Sequence, residues 1–175
     1  NHTPQHKAIV DAYLNLVSDE QEKDYLGSTY RLSEDGGITW GPVLKAPVST
    51  PHGPSRANDG SLLYVGTCTP ESHEGGQTAV RIYRSTDGLE WELLGEIPPT
   101  QEAIEKKYLY CEPHGIQLPD GKMIVHIRAQ TNSEVYSEHI FSIFQSVSTD
   151  GGHTWTEPVR LIDHGSPPHL LRHSS

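Results

Sequence analysis

Glu112 and Arg128 stand sixteen residues apart, one on each side of a Pro119-Asp120-Gly121 turn. Both lie in β-rich runs, where a charge buried without a partner would be costly. When Asp120-Gly121 is aligned on an upstream turn, Asn58-Asp59-Gly60, Glu112 falls opposite Pro51 and Arg128 opposite Thr67. Neither charge belongs to a scaffold pattern. A guanidinium presents a planar fork that grips a carboxylate through two parallel hydrogen bonds, which lysine cannot copy. A salt bridge between the two, or to a neighbouring unit, is the competing explanation. Three histidines follow prolines: His52 in Pro51-His52-Gly53-Pro54, His114 in Pro113-His114-Gly115, and His169 in Pro167-Pro168-His169-Leu170. Neutral imidazoles donate hydrogen bonds to hydroxyls, and protonated ones pair with carboxylates. They could also ligate a metal, but they lie far apart with no local ligand motif, so no metal is assigned. No cofactor is implied. Arg56 shares a strand face with His52 by period two and is a further binding candidate; the bland alternative for all four is hydrogen bonding within the scaffold.

These residues are positioned by a repeat. Ser33-Glu34-Asp35-Gly36-Gly37-Ile38-Thr39-Trp40 recurs as Ser85-Thr86-Asp87-Gly88-Leu89-Glu90-Trp91, one residue shorter, and as Ser148-Thr149-Asp150-Gly151-Gly152-His153-Thr154-Trp155. The copies are roughly fifty to sixty residues apart, the length of a four-stranded propeller blade with variable loops. The aspartate can accept hydrogen bonds from nearby backbone N–H groups, and glycine supplies positive φ. Each tryptophan is expected to anchor the next strand in the core. Strands are expected at 62–65, 78–84, 91–97 and 123–127. The two hairpin signals per unit then give an all-β chain of four-stranded antiparallel blades. Residues 8–50 read as part of a blade, 51–100 and 107–163 as blades, and 166–175 as the start of another. No long helix is expected; residues 101–107 could form a helical turn and read better as a loop.

The chain has 175 residues, 34% hydrophobic content and a formal net charge of −10. The charge is spread without a basic stripe, which argues against nucleic acid and anionic membranes as partners. There is no apolar run long enough to span a bilayer, and the first residues do not resemble a signal segment. The compartment stays open. Cys68 and Cys111 make no disulfide framework and are expected to be buried free thiols.

The three turns, two of the form Ser-x-Asp-Gly-x-x-x-Trp and one a residue shorter, resemble the Asp-boxes of the sialidase (neuraminidase) superfamily. The resemblance implies a six-bladed propeller, of which this chain would be an internal piece of about three blades. In that family the boxes lie on the rim and serve structure. The run from Cys111-Glu112-Pro113-His114 to His126-Ile127-Arg128 is similar to the stretch in which a glutamate acts as base for a nucleophilic tyrosine. The arginine there is one of three clamping the sugar carboxylate. The resemblance thus implies Glu112 as catalytic base and Arg128 as substrate clamp, with His52, His114, His169 and Arg56 as candidate contacts. The substrate would be an acidic sugar or sialylated glycan, cleaved with retention through a tyrosyl intermediate. Tyr108 and Tyr110 do not stand where the family's nucleophile would and read as strand and loop residues. The first and third arginines, the acid/base aspartate and the tyrosine have no counterpart identified here. A non-catalytic propeller that binds glycans or proteins, and a propeller lyase or hydrolase for another acidic sugar, are the alternatives. A partial ring leaves sheet edges open, which makes self-association or a proteolytic origin reasonable.

Overall fold

The computed structural model describes residues 3–18, 20–21, 27–67, 79–131 and 141–173. Strand β8, Met123–Gln130, shows why these sequences form sheets. Met123, Val125, Ile127 and Ala129 are buried and alternate with half-buried Ile124, His126, Arg128 and Gln130. That period of two places the apolar set Met123, Val125, Ile127 and Ala129 in the core and His126, Arg128 and Gln130 on the opposite face. The chain begins with helix α1, Pro4–Leu14, followed by β1, Thr29–Tyr30, and β2, Leu44–Lys45, which form a two-stranded sheet. Next come β3, Ser55–Arg56; β4, Leu62–Thr67; β5, Val80–Ser85; and β6, Glu92–Ile97. A short helix α2, Gln101–Glu105, leads to β7, Leu109–Gln117, then β8, β9, Phe141–Ser148, and β10, Val159–Ile162.

Strands β3 to β6 form one four-stranded sheet and β7 to β10 another, each antiparallel with neighbours in chain order. The fold class expected from the repeat is therefore observed: all-β, with four-stranded antiparallel sheets of propeller type. The sheets pack face to face over Leu63, Val65, Val80, Ile82, Tyr110, Val125, Ile127 and Phe144. Gly115 permits the approach, since a Cβ there would lie 2.7 Å from Val65 Cγ2. Hydrogen bonds from Thr50 Oγ1 to the Pro113 carbonyl, 2.9 Å, and from Ser55 Oγ to the Gly115 carbonyl, 2.8 Å, join the start of one sheet to the inner strand of the next.

The repeated turns close as expected. Gly37 N–H donates to Ser33 Oγ at 2.7 Å, and Thr39 donates to Asp35 from its backbone N–H at 2.9 Å and its hydroxyl at 2.6 Å. The third turn repeats these bonds through Ser148, Asp150, Gly152 and Thr154. The shorter second turn has no threonine there, and Asp87 accepts from Leu89 and Glu90 N–H instead. Donation from Thr39 holds Asp35 down at about 2, and Thr154 lowers Asp150 in the same way.

Four expectations are corrected. Helix α1 occupies Pro4–Leu14, capped by Thr3, within the region read as strands of a blade. The 101–107 connection is helical because the Thr100 side chain caps Ala103 N–H and Ala103 inserts fully into the core. The tryptophans are not equivalent: Trp155 packs against the core, whereas Trp40 is 58% exposed. Trp91 Nε1 donates to Tyr30 Oη in the preceding sheet at 3.0 Å, and Trp155 stands against Gly95 of β6, but Trp40 lies over its own Gly37. Cys111 is half-buried; Cys68 lies outside the described residues. Among the described residues, no helix is long and apolar enough to cross a membrane.

Candidate functional site

The inner strand of the second complete sheet is interrupted where its chemistry lies. Cys111 pairs with Arg128 and His114 with His126, so Glu112 and Pro113 together face the single residue Ile127. Glu112 takes φ of +48°, a left-handed conformation that costs a branched-chain-free but bulky residue of order 1–3 kcal/mol. In a regular strand Cys111 and Glu112 would point to opposite faces. The bulge puts both side chains on Arg128.

Arg128 Nη1 meets Glu112 Oε2 at 2.5 Å and Ser166 Oγ at 3.0 Å, Nε donates to Cys111 Sγ at 3.1 Å, and Nη2 donates to Gln130 Oε1. The guanidinium carbon lies 5.2 Å from the Phe141 ring centroid. This side chain is 17% exposed and that of Glu112 29%, so the pair sits at a partly sheltered surface where charge is screened less than in open water. Burial pushes the Cys111 thiol above its ordinary range, with the Arg128 charge acting against it.

His52, His114 and His169 meet although they come from three separate segments. The His114 and His169 rings stack at 4.4 Å and 7°, while His52 lies 4.7 Å from His114 and 5.2 Å from His169. His52 sits in the loop before β3 rather than in a strand. Leu170 N–H donates to His114 Nδ1 at 2.9 Å, which leaves that nitrogen unprotonated. Burial, followed by repulsion from His52 and His169, lowers His114 to about 4. Burial and then His169 also lower His52, while the Glu112 charge opposes them. His169 Nδ1 lies 3.4 Å from His52 Nδ1, and among the described residues no set of three His, Cys, Asp or Glu side chains is arranged to hold a metal.

Arg56 is not brought to this cluster. Its Nη1 donates to the Gly60 carbonyl at 3.1 Å in the β3–β4 turn. Tyr108 and Tyr110 are core residues: Tyr108 Oη accepts from Arg160 at 3.2 Å and Tyr110 Oη from Thr100 N–H at 3.3 Å. Sequence reading missed the residues that hold Arg128. Gln130 was accessible in principle, being two positions along the same strand. Phe141, the register partner of Gln130, and Ser166 require the tertiary fold.

No family model and no curated protein matches the sequence. Solved structures do. A protein of unknown function from Dyadobacter fermentans superposes with TM-score 0.59 at 20% identity, over 77% of this chain and 38% of that one. The GH93 α-L-arabinofuranosidase of Fusarium graminearum, in complex with arabinobiose, gives TM-score 0.52 at 21% identity, over 75% of this chain and 40% of that one. The same enzyme with an iminosugar inhibitor gives the same values. The fold is that of a β-propeller. This chain spans about two fifths of the length of these structures. The enzymes among these neighbours are arabinofuranosidases rather than sialidases, so the likeness reaches the fold and not the sugar.

Proposed function

We propose that the chain contributes part of the active centre of a propeller glycoside hydrolase acting on an acidic sugar, of which sialic acid is the leading candidate. Glu112 is the catalytic base and Arg128 grips the substrate carboxylate. His52, His114 and His169 offer imidazole contacts beside them. One observation carries this reading: a glutamate is held in a left-handed conformation at a bulge, with its carboxylate directed onto an arginine. Strain of this kind is kept where the side chain's direction matters, and bulges recur next to active sites.

Glu112 and Ser166 engage Arg128 Nη1 and Gln130 engages Nη2, so an incoming carboxylate must compete for both ends of the fork. This favours one second reading, a non-catalytic propeller that uses the same pair as a structural tie. Enzyme kinetics on the complete propeller containing this chain separates the two. With a fluorogenic sialoside, Glu112→Gln is expected to reduce kcat at least a hundredfold with KM changed only a few-fold. Arg128→Lys should act mainly on KM. Unchanged turnover in Glu112→Gln sinks the catalytic role. The 175-residue chain alone, with the rest of the site absent, is expected to release no fluorophore.

A further inference from the structure

After β10 the chain forms no further helix or strand and crosses back over the sheet it has just completed. Gly165 N–H donates to the Phe141 carbonyl of β9 at 2.9 Å, and Arg128 Nη1 of β8 donates to Ser166 Oγ at 3.0 Å. Leu170 N–H donates to His114 Nδ1 of β7 at 2.9 Å, and Arg172 Nη1 donates to Asn58 Oδ1, in the turn after β3, at 2.7 Å. Polar contacts rather than burial fasten this strap: from Ser166 to Arg172, Pro168 alone is buried. Segments with few buried contacts open locally at small cost.

The fastening on β7 depends on charge state. His114 Nδ1 accepts from Leu170 N–H only while it carries no proton; once protonated, it becomes a donor facing a donor. The titratable groups around His114 are His169 on the strap, stacked at 4.4 Å, His52 from the loop before β3, at 4.7 Å, and His126, its register partner on β8. Strand β4, packed on β7, brings no acidic or basic side chain. A proton on His114 is therefore opposed by any proton on its three neighbours. His52 is a poorer trigger, because Glu112 favours its charged form and its hydrogen bond to the Pro168 carbonyl survives protonation. We infer that residues 166–172 are a pH-operated strap: protonation of His114 releases them, withdrawing Ser166 from the Arg128 fork. Burial first, then His52, His169 and His126, hold His114 at about 4 while the strap is closed, against an ordinary 6.5. The closed form is thus fully favoured above 6.5, and opening gains as pH falls from there toward 4. None of this depends on whether Glu112 is catalytic.

The test is amide hydrogen exchange of the 175-residue chain, followed by NMR at about pH 7, 6 and 5 and expressed as protection over the unstructured rate, so that the intrinsic pH dependence cancels. Val125, buried in β8 and paired on both sides, reports on the sheet itself. Between pH 7 and 5, Leu170 protection is expected to fall at least about tenfold more than that of Val125. His114→Asn keeps an acceptor near the Nδ1 position and cannot titrate, so the excess fall should vanish. Leu170→Pro removes the N–H from a surface segment. If protonation releases the strap, then releasing the strap must ease protonation: in Leu170→Pro the His114 ring protons should titrate at least about one pH unit higher. Should His114→Asn fail to fold, Leu170→Pro decides alone. Leu170 protection that stays flat or falls only in step with Val125, a full excess fall in folded His114→Asn, or an unchanged His114 titration in Leu170→Pro overturns the proposal.

Discussion

The first and third aspartate turns have nearly the same hydrogen bonds and opposite surroundings. In each, a threonine donates its backbone N–H to the aspartate at 2.9 Å and its hydroxyl at 2.6 Å. Yet Trp155 packs against the core, while Trp40 stands 58% exposed. The turn is therefore a local device that closes on its own side chains, and burying the tryptophan is a tertiary event. The difference is the preceding sheet. Trp155 rests on β6, where Gly95 leaves room: a Cβ at that position would fall 2.3 Å from the Gly152 carbonyl oxygen. Among the described residues, no sheet precedes β1 to receive Trp40 in the same way.

Substitutions at the two ends of this comparison should differ most. Trp155→Ala is expected to cost about 3 kcal/mol by urea denaturation, because it removes a large side chain from a packed contact. Gly95→Val should cost about 2 kcal/mol by forcing the third turn away from β6. It would refute the docking account if Gly95→Val were neutral. Asp35→Ala and Asp150→Ala should produce smaller losses that match each other, since both turns use the same local bonds; unequal losses would mean that the surroundings contribute to the turn itself. Trp40→Ala should shift stability by less than about 0.5 kcal/mol.

Acid titration sharpens the same contrast from another direction. Asp35 and Asp150 are held below their ordinary value of 3.8, so their contribution is complete above that pH and is lost only as pH falls through the folded values. His114 is held at about 4 against an ordinary 6.5, so the stability it confers is present above 6.5 and disappears as pH falls toward 4. Denaturation midpoints measured between pH 7 and 4 should decline, and His114→Gln should flatten the decline. A slope unchanged by that substitution would remove the histidine cluster as its cause.

Much of the scaffold was legible because its signals are local. Serine, aspartate and glycine at fixed spacing specify a turn, and alternating residues such as Met123 to Ala129 specify a strand with one buried face. What escaped depended on distant parts of the chain. The helical turn after Thr100 arises from a cap and a buried Ala103, and Trp40 and Trp155 are identical in motif but differ in what lies beneath them. At the site, Glu112 and Arg128 stood out because they break the repeat. Their conformation was not legible: no residue-type rule places a glutamate at positive φ. His52, His114 and His169 share a preceding proline, a cue that marks them without joining them, and the stacking of His114 on His169, with one His114 nitrogen held by Leu170, is a result of packing.

The left-handed backbone at Glu112 sets fitness against robustness at a single residue. Glycine there would relieve the conformational cost, and asparagine would tolerate it better, so a search for sturdier variants guided by thermal melting alone would be drawn to this position early. Each such improvement would discard the carboxylate that faces Arg128. Libraries built from this chain should hold residue 112 fixed, and a natural relative carrying glycine or asparagine there would mark a lineage in which the arginine fork serves some other end.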